Sequence, residues 1–398
     1  MSQTLPSNTL AKPERQMGID LLRVVSMFMV VLLHVVGRGW VLSAKPLSPT
    51  WHAGWIIEYL CYGAVNIFAL ITGYVACKST KIKYARTFEL WFQGLFYSVL
   101  ITLYFALFTD VWQGLGVGTN VIRSFFPVAT NQYWYLTAYF GYVFFIPFFN
   151  RLIERLNKKQ FGLLVALILI IFSVTAVFPE TMNEPFNTER GFSALWLAAL
   201  YFVGAYLRLY PPKTSKLRQL GCIVIFAASS LIQWFYRAGI AFLQKHHAGW
   251  ANSENGKLFF KYFAGELLHR YTSPFMVIAA VSLLIFFANL KIKNSAARRA
   301  IKFAAPISFG VYLIHMHLQI YRVLIQDKFK DYADLPNWQA VAYSLLTAAV
   351  IFTVCLFADE IRLLLFKLLH VRQLCDWLDK RLRQLAQRVL KTKQTRRS

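Results

Sequence analysis

Apolar runs of about 20 residues, the length that spans a bilayer core as a helix, recur along the chain and are separated by short polar stretches. They fall at 18–42, 55–77, 87–108, 132–149, 161–178, 192–209, 217–236, 271–290, 301–325 and 338–357. The pattern predicts an all-α polytopic membrane protein with about ten transmembrane helices. Charge in the connecting stretches alternates. Lys78, Lys81, Lys83 and Arg86 follow the second run, and Arg151, Arg155, Lys158 and Lys159 follow the fourth. Arg208, Lys213, Lys216 and Arg218 follow the sixth, and Lys291, Lys293, Arg298, Arg299 and Lys302 follow the eighth. The intervening stretches are poor in net positive charge, so the positive-inside rule predicts that both termini are cytoplasmic.

Composition agrees with that pattern. Of 398 residues, 57% are hydrophobic and 15% charged, against about 25% charged in soluble domains. The formal net charge of +25 would suit nucleic acid, but the cations lie between apolar runs and in one tail, so no nucleic-acid partner is expected. The first run is too long for a cleaved signal and lacks a small-residue cleavage pattern. Cys61, Cys77, Cys222, Cys355 and Cys375 show no metal-like spacing and read as reduced core residues, and no metal site is expected.

Three regions are expected: a mobile N-terminus over 1–17, a membrane domain over 18–369 and a basic amphipathic tail over 370–398. The tail repeats Leu374, Leu378, Leu382, Leu385 and Val389 at helical spacing, as a helix resting on an anionic leaflet would. Residues 237–270 form the longest outer connection and read as an interfacial helix or a substrate-facing cap.

Two places in the apolar runs carry groups that hydrocarbon disfavours. Arg23 and His34 stand eleven positions apart in the first run, which is about three helical turns. They therefore share one helix face, about 16 Å apart in depth. Each alone has a bland explanation, a snorkelling arginine and a histidine hydrogen-bonded within a bundle, but together on one face they point to function. Asp20 is placed to pair with Arg23. In the ninth run Ser308, Tyr312 and His315 form one polar stripe, which suits either an interhelical ladder or a site facing His34. His317 points elsewhere and reads as structural. Further candidates are Trp134, in an aromatic segment at 131–136, and Asn66, in the segment 66–74, where Gly73 would permit a close helix contact or a backbone break near a cavity. Lys83 and Arg86 are placed to meet an anionic ligand on the cytoplasmic side. Phosphate-loop, dinucleotide, zinc-protease and nucleophile-elbow motifs are absent.

These segments resemble the integral-membrane acyltransferase-3 family, best known as O-acyltransferases of bacterial surface polysaccharides. The family's first-helix Arg and His, ten residues between them, match Arg23 and His34. Its Phe-Phe-x-x-Ser-Gly-Phe/Tyr pattern is similar to Ile67–Tyr74, with Thr72 in place of Ser, and Arg86 falls in the basic stretch that follows. Its Trp-aromatic-Leu motif looks like Trp134-Tyr135-Leu136, and its late Ser-aromatic-x-x-Tyr-x-x-His looks like Ser308 to His315.

The resemblance implies a multi-pass protein of the cell (plasma or inner) membrane that moves an acyl group, acetyl foremost, from cytoplasmic acyl-CoA to a hydroxyl of a surface or lipid-linked glycan. No cofactor is expected to be bound, with acetyl-CoA or another acyl-CoA as a substrate. Arg23, Arg86 and Lys83 would hold the donor. His34 would act as base or acyl carrier, with His315, Tyr312 and Ser308 orienting it or stabilising the oxyanion. Trp134 and Asn66 would line or support the site. No esterase-like segment follows the tenth run, so acceptor chemistry is expected from the membrane domain or a separate partner. A transporter or flippase of a glycan or lipid intermediate is the alternative, disfavoured by the absence of an evident inverted repeat.

Overall fold

A computed structural model describes residues 15–79, 84–110, 116–178, 186–213 and 215–395, with side chains described as far as 385. The polar segment expected to be mobile lies almost wholly outside the described residues, as do Lys81 and Lys83. Among the described residues the regular structure is helical, without strands.

In chain order the helices are α1 (Met17–Gly37), α2 (Pro49–Tyr62), α3 (Ala64–Ala76), α4 (Tyr84–Phe108), α5 (Val117–Ser124) and α6 (Trp134–Val143). Next come α7 (Ile146–Arg155), α8 (Lys158–Leu169), α9 (Ala194–Leu209), α10 (Lys216–His246), α11 (Ala248–Ala251) and α12 (Glu254–Tyr262). The last five are α13 (Pro274–Ala288), α14 (Ser295–His315), α15 (Leu318–Leu324), α16 (Asn337–Leu368) and α17 (Val371–Thr395).

Among the described residues, six helical spans are long and apolar enough to cross a membrane, and eight are if each of two bent pairs counts as one. That is fewer than the ten read from hydropathy. The difference lies in α9 and α13, which are apolar but only 16 and 15 residues long. The bent pairs are α6–α7, turning by 53° just before Pro147, and α14–α15, turning by 74° at Met316 and His317. The second expected run is two helices meeting at Gly63, and it begins earlier than expected, where Ser48 caps the backbone N–H of Trp51 beside Pro49.

α1 is the centre of the bundle. It is apolar except for Asp20, Arg23, Ser26 and His34, and α2, α3, α13, α14 and α16 surround it. Small residues set the close approaches. A Cβ at Gly18 would lie 1.9 Å from the carbonyl oxygen of Phe287, and one at Gly73 would lie 2.0 Å from that of Tyr201. The contact expected at Gly73 is thus with α9, whose own Gly204 meets the Leu70 carbonyl in the same way.

The outside of the bundle is apolar. Leu107, Leu346, Val354 and Ile361 are more than half exposed, while Ser26, Asn66, Ser98, Thr102 and Asn150 are buried. Such a distribution suits lipid as the surrounding solvent. All five cysteines are free, four of them buried.

The tail helix α17 packs along the start of α4. Asp379 accepts from the Tyr84 backbone N–H at 3.1 Å, and Arg372 meets Glu89 at 2.8 Å. Leu374, Trp377, Leu382 and Leu385 remain exposed beside that contact.

Candidate active site

Span one and span nine meet at the two histidines. His34 comes from the last turn of α1 and His315 from the last residue of α14, just before the bend. His34 Nδ1 lies 3.0 Å from His315 Nε2, and the ring centroids are 5.2 Å apart. On its other side His315 Nδ1 lies 2.5 Å from the carbonyl oxygen of Val311. A carbonyl can only accept, so His315 Nδ1 carries the proton. In a neutral ring Nε2 then has the lone pair, so His34 Nδ1 must donate to it. The same rule leaves the lone pair of a neutral His34 on Nε2. Two hydrogen bonds, the second of them buried, thereby fix one tautomer and leave one basic nitrogen uncommitted within the pair.

His34 lines a narrow cavity of about 30 Å³ walled by Phe68, Trp134, Tyr135, Tyr271, Phe309 and Tyr312. That volume holds one or two waters, so a substrate group can enter only as these rings shift. Tyr312 is fixed by its hydroxyl, which accepts from the Tyr135 backbone N–H at 3.3 Å. Trp134 stacks on Tyr271, and Tyr271 stacks in turn on Tyr62 at 4.5 Å.

The predicted residues divide into those that meet and those that do not. His34, His315, Tyr312 and Trp134 surround one cavity. Asn66 stands behind it: its amide donates to the Tyr271 carbonyl at 2.8 Å, and its oxygen accepts from Trp196 Nε1 at 3.0 Å. Its work is to hold Tyr271. Ser308 stays on its own helix, donating to the Ala305 carbonyl at 3.0 Å. His317, expected to be structural, contacts Thr102 and the Ser98 carbonyl instead of the pair.

Arg23 lies toward the beginning of α1, where Asp20 accepts from its Nη1 at 2.7 Å, as the spacing suggested. Asp20 also contacts Arg15. Arg86 is near enough to Arg23 to interact with it electrostatically, and both act on Tyr139. Lys83 lies outside the described residues.

Two larger cavities flank the histidine pair. At the face where α1 begins, a cavity of about 480 Å³ is lined by Arg86 and Gln93 from α4, Phe309 from α14 and Arg362 from α16. At the opposite face a vestibule of about 720 Å³ lies between α2 and α10, lined by Trp51, Trp55, Arg237, Gln244, Lys245 and Glu266. Arg237 sits 3.3 Å over the Trp55 ring. The long connection at 237–270 therefore borders this vestibule, with two short helices beyond α10.

Sequence reasoning missed Tyr271, Phe309, Asp359 and Arg362. The tenth run was expected to end at Phe357, short of Asp359 and Arg362, whereas α16 continues to Leu368. Two opposite charges three positions apart beside an apolar run were the available signal.

The model of the acyltransferase domain of the acyltransferase-3 family matches residues 17–358, from the start of α1 through most of α16. The chain belongs to that family. It is a multi-pass membrane acyltransferase. The matched region contains both histidines and all the walls of their cavity. Neither the curated proteins nor the solved structures contain a match to the chain.

Proposed function

We propose that this acyltransferase moves an acyl group, acetyl foremost, from acyl-CoA on the cytoplasmic side to a hydroxyl of a surface or lipid-linked glycan, with both termini in the cytoplasm. The observation that carries the reading is the His34–His315 pair, with its free basic nitrogen between two cavities that open toward opposite faces. A transferase working across a membrane needs such a group, because donor and acceptor arrive from different sides.

In this scheme His34 Nε2 takes the proton of the acceptor hydroxyl as the oxygen attacks the thioester carbonyl. The C–O bond forms and the C–S bond breaks. The sulfur leaves with the proton that His34 gained, yielding an ester and free CoA. His315 holds His34 in the required tautomer and accepts from its Nδ1 throughout. Tyr312 lines the same cavity and can donate to the carbonyl oxygen as charge develops there. Arg23 and Arg86 lie on the donor side, where the phosphates of CoA would need cations. The vestibule supplies aromatic and polar walls of the kind a sugar requires.

The test is turnover of labelled acetyl-CoA by purified protein in lipid nanodiscs, together with mass spectrometry of surface glycans from cells lacking the protein. The parent should release free CoA only with acceptor present, and one ester mark should vanish from the cells. His34→Ala should abolish transfer while accumulating normally. Transfer at the parental rate by that variant would make His34 structural, and acceptor flux without acyl transfer would favour a transporter.

A further inference from the structure

The cavity at the face where α1 begins has an unusual wall for a membrane bundle. Arg86, Arg362, Lys367 and Arg372 line it, from α4, α16 and α17. Glu89 is the single acid among its lining residues, and it is engaged by Arg372 at 2.8 Å. Of the four cations around this space of about 480 Å³, Arg362 shares Asp359, and Arg372 shares Glu89 and, at 3.5 Å, Asp376, so the wall still presents more cationic than anionic groups, as a receptor for a polyanion would.

Arg362 shows that the wall is built rather than incidental. It is 7% exposed and sits near the end of a long apolar helix. Asp359 accepts from its Nε at 3.0 Å and from its Nη2 at 2.6 Å. The same carboxylate accepts from Gln93 Nε2 at 2.9 Å and from the Tyr97 hydroxyl at 2.8 Å. A buried ion pair seldom improves on well-packed apolar residues, so stability alone does not account for this one. What it does achieve is orientation. Asp359 uses two of the five guanidinium N–H groups and locks the planar fork at the cavity wall, and that fork is suited to phosphate.

Phe309 connects the cavity to the chemistry. Its ring lines both this cavity and the narrow one holding His34. A long ligand anchored by phosphates at Arg362 would reach toward the histidine pair past Phe309, the residue the two cavities share.

We propose that this cavity seats the phosphates of the acyl donor on Arg362, Lys367 and Arg372, and that Phe309 is the gate past which the acyl-bearing arm reaches His34. The inference rests on the thioester-donor reading above. It extends the donor site beyond Arg23 and Arg86, and it gives the tail a part in it, since Arg372 belongs to α17.

An anionic lipid headgroup offers the same phosphoryl chemistry, so the experiment separates the two. Binding of unacylated CoA to the full-length protein is measured by calorimetry in nanodiscs of phosphatidylcholine alone, and again with phosphatidylglycerol included. The variants are Lys367→Gln/Arg372→Gln, two exposed positions whose loss leaves the buried pair intact, and Asp359→Asn/Arg362→Gln, which removes both buried charges together. The parent should bind CoA in both lipids, and each double variant should bind it at least about tenfold more weakly, as expected for lost charge-assisted hydrogen bonds. If both variants bind CoA within about twofold of the parent, the proposal is overturned. It is also overturned if phosphatidylglycerol abolishes CoA binding by the parent, which would give the cavity to headgroups. A parent that binds no CoA in either lipid removes the donor reading itself, an outcome distinct from failure of the variants alone.

Discussion

A Cβ added at Gly310 would lie 2.1 Å from Oδ1 of Asp359, so the carboxylate rests directly on the backbone of α14. No larger residue fits there without moving it. Because Asp359 gathers Gln93, Tyr97 and Arg362, this contact ties α4, α14 and α16 together one residue from Phe309. Gly310→Ala should cost about 1–3 kcal/mol, the usual range for overpacking a filled interior. The check is the thermal midpoint of the detergent-solubilised protein, which should fall. An unchanged midpoint would mean that Asp359 can shift at little cost.

The tautomer chain makes a second expectation specific. His315→Ala removes the acceptor for His34 Nδ1 and leaves that ring free to turn or to take the other tautomer. Transfer should fall by about 100-fold to 10,000-fold, the range associated with a positioned acid–base group. His315→Gln offers an amide oxygen in a similar place and should retain measurably more activity than the alanine variant. Equal rates in the two variants would show that His315 acts through something other than acceptance of that hydrogen bond. The readout is initial rate over a pH series, since loss of the fixed tautomer should alter the profile as well as the maximum.

How much of this could be read from the sequence depended on whether the signal was local. Arg23 and His34 were visible because hydrocarbon makes an ionisable residue conspicuous and a helix makes spacing equivalent to geometry. The Asp20–Arg23 pair followed from the same rule. Partnership across helices was only half legible. The stripe of Ser308, Tyr312 and His315 gave the face, yet Ser308 turned back to the Ala305 carbonyl and left the pair to His315. Tyr271 was invisible because its place depends on Asn66 and Trp196, far away in sequence. The bends at Pro147 and Met316 broke runs that hydropathy treats as straight, and α9 and α13 are shorter than their apolar runs suggested.

Arg23 provides a third test, one that separates donor binding from chemistry. It lies about 16 Å in depth from His34 along the same helix face, too far to touch a reacting carbonyl beside that ring. Its partner Asp20 is 5% exposed and also contacts Arg15, so one carboxylate restrains two arginines. If Arg23 binds the donor, Arg23→Gln should raise KM for acyl-CoA by about tenfold, the worth of one charge-assisted contact, and alter kcat much less. Asp20→Asn should change the donor KM in either direction while leaving the acceptor KM alone. Steady-state kinetics with each substrate varied in turn decides the matter. A loss confined to kcat would move Arg23 from donor binding to the chemical step.

The contact between α3 and α9 is reciprocal, and that sets a test for the scaffold. A Cβ at Gly73 would meet the Tyr201 carbonyl oxygen at 2.0 Å, and one at Gly204 would meet the Leu70 carbonyl oxygen at the same distance. Each glycine therefore allows its helix to lie against the other's backbone. Gly73→Ala or Gly204→Ala alone must push the helices apart, and either should lower both the amount of folded protein and the transfer rate. The effect should reach the active site because α9 carries Trp196, whose indole N–H holds Asn66, which in turn holds the Tyr271 carbonyl. Once one substitution has opened the interface, the second has less left to disturb. The double variant should therefore cost clearly less than the sum of the two single losses, as coupled neighbours do. A double-mutant cycle on thermal midpoints measures this, and strict additivity would show that the two glycines do not serve one shared contact.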